Sequence, residues 1–123
     1  METSSPGQLV LMLFDGVLRF LDKSLQGFSH DDPLEFNRAI NNNILRAQAI
    51  IHELNGSLNM EQGGQFADTM RALYNYFDRR LQESNLQKNP TGIREVISRV
   101  TVLRDAWSEM LRQNHAPQAQ AAA

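Results

Sequence analysis

Apolar residues recur three and four positions apart through four successive segments of this chain, and that recurrence leaves little choice of fold. In the second segment Phe36, Ile40, Ile44, Ala47, Ile51 and Leu54 follow one another at spacings of 4, 4, 3, 4 and 3. At roughly 100° per residue these positions share one face of a helix; a strand, which alternates faces at every residue, does not produce them. Val10, Leu11, Phe14, Val17, Leu18, Leu21, Leu25 and Phe28 make the equivalent stripe in the first segment. Phe66, Met70, Leu73, Tyr74, Phe77 and Leu81 make it in the third, and Ile93, Val96, Ile97, Val100, Leu103, Trp107 and Met110 in the fourth. The β-branched residues of the last stripe vote weakly for strand, and the spacing overrides them.

Prolines mark where the segments begin. Ser5-Pro6, Asp32-Pro33 and Asn89-Pro90 each pair an N-cap residue with proline at the first helical position, where its fixed φ suits the helix and its missing N–H loses no intrahelical bond. The pattern predicts helices over residues 6–28, 33–54, 65–86 and 90–112. Between the second and third, Gly56 and Gly63-Gly64 bracket a turn in which Leu58 and Met60 suit a short helical piece. The expected fold is all-α: an antiparallel four-helix bundle with a short extra helical turn between helices two and three. Residues 5–112 form the bundle domain, and the Ala- and Gln-rich tail, residues 113–123, is expected to be disordered.

Length and charge narrow the function. A chain of 123 residues is a natural single domain, and 41% hydrophobic residues make it too apolar for an unfolded one. Twelve Lys plus Arg against 14 Asp plus Glu leave a net charge of −2, which supplies no basic field, so no nucleic-acid partner is expected. The absence of cysteine removes disulfides, thiolate nucleophiles and cysteine zinc sites, and suits the cytosol. The longest unbroken apolar run, Leu9 to Phe14, is stopped by Asp15. A membrane span needs roughly 20 apolar residues, so no membrane insertion is expected. The acidic, polar start Met1-Glu2-Thr3-Ser4-Ser5 lacks the basic region of a secretory signal, which makes an intracellular protein the expectation.

Enzyme signatures are missing: the sequence has no phosphate loop, no dinucleotide fingerprint and no nucleophile elbow. No enzymatic activity and no cofactor are expected. His30, Asp31 and Asp32 read as an interhelical loop whose aspartates cap helix two, and no metal site is expected there. His52-Glu53-Leu54-Asn55-Gly56-Ser57 resembles the histidine run of phosphotransfer domains, which are also four-helix bundles. Phosphoryl acceptance at His52 is therefore an alternative function, although Asn55 stands where those domains carry the lysine that stabilises added charge, and Gly56 also suits a helix C-cap. A generic helical adaptor is a further alternative.

A stronger signal is hydrocarbon in excess of one stripe per helix. A bundle helix spends an arc of roughly 100° on the core. Helix one carries Leu9, Leu13 and Phe20 on an adjoining face and Met12 further round; helix two adds Leu34, Leu45 and Ala49, and helix four adds Val102 and Ala106. Such faces suit a rigid scaffold that accepts an apolar partner helix; the small turn containing Leu58 and Met60 and a homodimer are the other ways to cover one. Tyr74, at the edge of the helix-three stripe, and Tyr76, to its other side, combine a ring with a hydroxyl as interfaces do. Leu45, Ala49, Tyr74, Tyr76, Val102 and Ala106 are the candidate partner-binding residues.

The order of motifs also resembles a known family. Ser5-Pro6-Gly7-Gln8-Leu9-Val10-Leu11-Met12-Leu13-Phe14-Asp15-Gly16, Ala39-Ile40-Asn41, Leu58-Asn59-Met60-Glu61-Gln62-Gly63-Gly64-Gln65, Leu73-Tyr74-Asn75-Tyr76-Phe77 and Ala106-Trp107 are similar, in order and spacing, to landmarks of the flagellin-specific export chaperones, the FliS family. The likeness runs from about Ser5 to Leu111 and supports Tyr74, Tyr76 and Ala106 within the candidate site. It implies a bacterial cytosolic chaperone that binds the disordered C-terminal segment of flagellin, prevents its premature polymerisation and delivers it to the flagellar type III export apparatus.

Overall fold

The computed structural model describes the backbone of residues 5–122 and the side chains of residues 5–114. Four helices follow one another: α1 (Pro6–Gly27), α2 (Pro33–Gly56), α3 (Gly64–Gln87) and α4 (Thr91–Ala122). The proline punctuation works as the residue chemistry dictates. Ser5 closes a capping box on α1, its Oγ accepting from the Gln8 N–H at 3.2 Å. Asp32 accepts from the Glu35 N–H at 3.1 Å at the head of α2. Asn89 accepts from the Thr91 N–H at 3.0 Å ahead of α4. At its other end α3 stops on Lys88, whose left-handed φ of 51° halts helical propagation.

The expected helical piece between α2 and α3 is smaller than a helix. Residues 57–63 carry a single isolated turn, closed by a bond from the Gly63 N–H to the Asn59 carbonyl at 2.7 Å, and Gly64 then turns the chain into α3 at φ +56°. Along the backbone α4 continues to Ala122, past Arg112 where the apolar pattern stops. The disorder expected of residues 113–123 falls almost wholly on side chains outside the described residues.

α1 packs on α2 and α4, α3 packs on α2 and α4, and the diagonal pairs make no close contact among the described residues. Every neighbouring pair is antiparallel. Between α2 and α3, Asn41 bonds Asn85, Gln48 bonds Asp78 and Arg71 bonds Asn55, so residue numbers rise on one helix as they fall on the other. Between α1 and α4, Arg104 Nε donates to Asp15 at 2.8 Å and Trp107 Nε1 donates to the Gly7 carbonyl at 2.8 Å. This up-down-up-down square is what connections of a few residues permit.

The core is the set of predicted stripes in register. Phe14, Val17 and Leu21 of α1 meet Ile40, Ile44, Ala47, Ile51 and Leu54 of α2, Met70, Tyr74, Phe77 and Leu81 of α3, and Ile93, Val96 and Val100 of α4. Two stripe members depart from it. Phe66 is 60% exposed because Ala67, the next residue, takes the inward position, and Met110 is likewise exposed in the outer part of α4. Both lie at the end of the bundle where α3 begins and α4 runs on.

Candidate functional site

The seam between α3 and α4 is closed at one end and open at the other. At the closed end Gly92 lets α4 lie on α3: a Cβ there would stand 2.2 Å from Ser84 Oγ and 3.0 Å from the Arg80 carbonyl oxygen. Towards the other end a cavity of about 300 Å³ opens, lined by Val10, Phe14, Leu54, Leu58, Phe66, Met70, Tyr74 and Trp107. A second depression of about 190 Å³ shares Phe14, Phe66, Met70 and Trp107 with it and adds Leu103, Ala106 and Met110. A third, of about 250 Å³, continues through Leu103 to Leu73, Phe77, Ser98, Arg99 and Val102. The second and third depressions meet at Leu103 and make an apolar groove along the α3/α4 seam, and the first, walled also by α1, α2 and the turn at 57–63, adjoins its open end. Hydrocarbon exposed in a continuous strip has no reason to remain so in a lone monomer and fits a partner helix.

A polar cluster terminates the groove near its closed end. Tyr76 Oη donates to Glu95 Oε2 at 2.5 Å, Arg80 Nε to Glu95 Oε1 at 2.7 Å, and Arg99 Nε to Glu95 Oε2 at 3.1 Å. Hydrogen bonds from Tyr76 and then Arg80 hold the Glu95 carboxyl below its ordinary value, and the bond to Glu95 pushes the Tyr76 hydroxyl up. The guanidinium groups of Arg79 and Arg99 lie 5.9 and 5.5 Å from the centre of the Tyr76 ring. The arrangement offers apolar contact and a charged terminus. It can bind and orient a helix.

Residues 1–114 match the family described as flagellar protein FliS. The chain belongs to the FliS family. It is 39% identical over 112 residues to the flagellar secretion chaperone FliS of Bacillus subtilis, covering 90% of this chain and 79% of the relative. The proteins of the same name from Salmonella typhimurium and Campylobacter jejuni are 31% and 33% identical over 108 and 106 residues, covering 88% and 86% of this chain and 78% and 80% of theirs. FliS proteins are chaperones and not enzymes, and the chain has that chaperone role in flagellar export. None of the described helices is long and apolar enough to cross a membrane.

On this FliS bundle the six candidate residues do not form one surface. Val102, 67% exposed, and the exposed Ala106 line the α3/α4 groove. Tyr76 is half-buried beside it within the polar cluster. Tyr74 is not a surface residue: at 4% exposure it belongs to the core, and burial raises its hydroxyl pKa to about 12. It reaches the groove only from beneath, as part of the cavity wall. Leu45 and Ala49 are exposed but stand on α2, outside the groove. Of the core-stripe residues, Leu103 and Trp107 pack against the core as expected and also wall the groove, whereas Phe66 and Met110 leave the core and wall it as exposed residues. Helical spacing places a residue on a face; it does not say where that face loses its neighbour.

The alternative centred on His52 gains nothing from its surroundings. The imidazole is exposed as expected, yet its Nε2 lies 2.9 Å from Asp78 Oδ1. A carboxylate stands where an incoming phosphoryl group needs a cation. Asn55, in the lysine position, is spent on bonds with Asn75 and Arg71.

Proposed function

We propose that this chain binds the C-terminal segment of flagellin in the bacterial cytosol, keeps it from polymerising prematurely and hands it to the flagellar export apparatus. The observation that carries this reading is the continuous apolar groove between α3 and α4, with Phe66, Val102 and Met110 exposed along it. Val102, Ala106 and Tyr76 contact the client, Tyr74 supports the groove floor, and Leu45 and Ala49 are not needed for this contact. A segment that folds as it binds must offset its own ordering, which takes several large apolar contacts at about 1.5–3 kcal/mol each. The groove provides that number of walls.

The test is calorimetry of a flagellin C-terminal peptide with the full chain at several temperatures. The expected result is a strongly negative heat-capacity change, the signature of buried apolar surface. Val102→Glu should weaken binding by about tenfold or more, because a carboxylate is then driven into hydrocarbon. Leu45→Glu, on α2, should leave affinity unchanged. Equal affinity for wild type and Val102→Glu, with both folded, would remove the groove from the mechanism.

A further inference from the structure

We propose that the opposite face of the bundle, the α1/α2 seam, is a second docking surface, and that it takes an amphipathic helix from another protein whose apolar face ends in a cluster of acidic residues. Three observations carry it. The first is a group of cations without anions. Arg19, Lys23 and Arg46 place their charged groups 5.1, 5.5 and 5.6 Å from the centre of the Phe20 ring. All three are exposed, and among the described residues none of them has an ion pair. The ring attracts each cation and the cations repel one another, and among the described residues no carboxylate is in ion-pair contact with them. In a chain of net charge −2 this is a local positive site open to an acidic partner.

The second observation is a strip of hydrocarbon leading up to those charges. Leu9, Leu13, Gly16 and Phe20 are spaced 4, 3 and 4 apart and share one face of α1. Gly16 fixes the direction of that face, since a Cβ there would lie 3.0 Å from Ile50 of α2. Leu9 is 48% exposed, and Leu13, Phe20 and Ile50 are half-buried. Ile50 fills the space beside Gly16, so the strip continues across the seam onto α2. The third observation is position. With α1 beside α2 and α3 beside α4 in a square bundle, the α1/α2 seam lies across the molecule from the groove. A partner seated there leaves Val102 and Ala106, on the far side of the bundle, open to a client.

Hydrocarbon at one end and three clustered cations outside any ion pair at the other specify the occupant: a helix with apolar residues at helical spacing and carboxylates in its last turns. Fluorescence anisotropy tests this with a labelled synthetic helix of leucine and alanine carrying glutamates in its final turns, and with the same helix carrying lysines instead. The acidic helix should bind, with affinity that falls as salt is added, and the basic one should not. The variant R19Q/K23Q/R46Q, which alters only exposed side chains, should weaken the acidic helix by about tenfold or more and keep the circular dichroism spectrum and flagellin-peptide affinity of the wild type. The acidic helix should bind equally to the free chain and to the chain saturated with flagellin C-terminal peptide. Undiminished binding to the triple variant, displacement by the flagellin peptide, or preferential capture of a short single-stranded RNA by the same three cations would each overturn the proposal. So would loss of a wild-type dimer in the triple variant, which would make a second copy of the chain the occupant. If flagellin does not bind, the salt dependence, the basic helix and the triple variant still decide the proposal, because those arms use the synthetic helix alone.

Discussion

Replacing Gly92 by alanine tests whether the closed end of the α3/α4 seam holds the groove in shape. The new Cβ would stand 2.2 Å from Ser84 Oγ and 3.0 Å from the Arg80 carbonyl oxygen. The serine hydroxyl can rotate, but the carbonyl belongs to the α3 backbone and yields only if α4 retreats. Overpacking costs about 1–3 kcal/mol, and a clash with backbone lies in the upper part of that range, about 2–3 kcal/mol. The gain from replacing glycine in a helix offsets up to about 1 kcal/mol of that, leaving a net loss of about 1–2 kcal/mol. For a domain of this size that is a fall in Tm of roughly 5 °C. Urea and thermal unfolding followed by circular dichroism measure it. Because the lost contact pivots α4 away from α3, flagellin-peptide affinity should fall in the same variant. Combining Gly92→Ala with Ser84→Gly removes the nearest clash and should recover part of the stability, a coupling that distant sites do not show. Unchanged unfolding midpoints for Gly92→Ala, or a double variant no better than the single one, would refute the claim that close approach at Gly92 sets the seam.

Two further predictions concern the walls of the groove. Trp107→Phe keeps an aromatic ring near Phe14 but removes the Nε1 donor to the Gly7 carbonyl, so chemical denaturation should show a loss of about 0.5–1.5 kcal/mol. The Glu95 carboxyl is held below its ordinary value of 4.5 by bonds from Tyr76 and Arg80. Its contribution to stability is therefore in place above pH 4.5 and disappears as pH falls through the lowered folded-state value. The stability advantage of wild type over Glu95→Gln should shrink across that acidic interval, and an advantage constant from neutral pH downwards would contradict the assignment.

The bundle was legible because each helix carries a stripe at helical spacing and a cap with a chemical reason. Ile40, Ile44, Ile51 and Leu54 could face only inward, and Ser5 and Asp32 could do little but cap. The site was only half legible. Val102 and Ala106 stood out as apolar residues off the stripe, and both line the groove. Phe66 and Met110 were hidden within the stripe, because their exposure depends on where α3 begins and how far α4 runs on, which a single-helix pattern does not encode. Tyr74 failed as a surface residue for the converse reason: a position at the edge of a stripe becomes buried when Phe77 and Met70 on either side turn fully inward. The Phe20 cation cluster joins α1 to α2 across nearly thirty positions of sequence, and only the fold brings Arg46 to it.

The central claim is that a client helix lies in the α3/α4 groove, and a reporter placed there tests it most directly. The chain has no cysteine, so Val102→Cys labelled with an environment-sensitive thiol dye gives a single probe on the groove wall, and Leu45→Cys gives one on α2. On saturation with flagellin C-terminal peptide, the dye at position 102 should shift its emission to shorter wavelength and lose access to an aqueous quencher, while the dye at position 45 stays as it was. A dye at position 102 that remains fully quenchable while the peptide is bound would contradict the account.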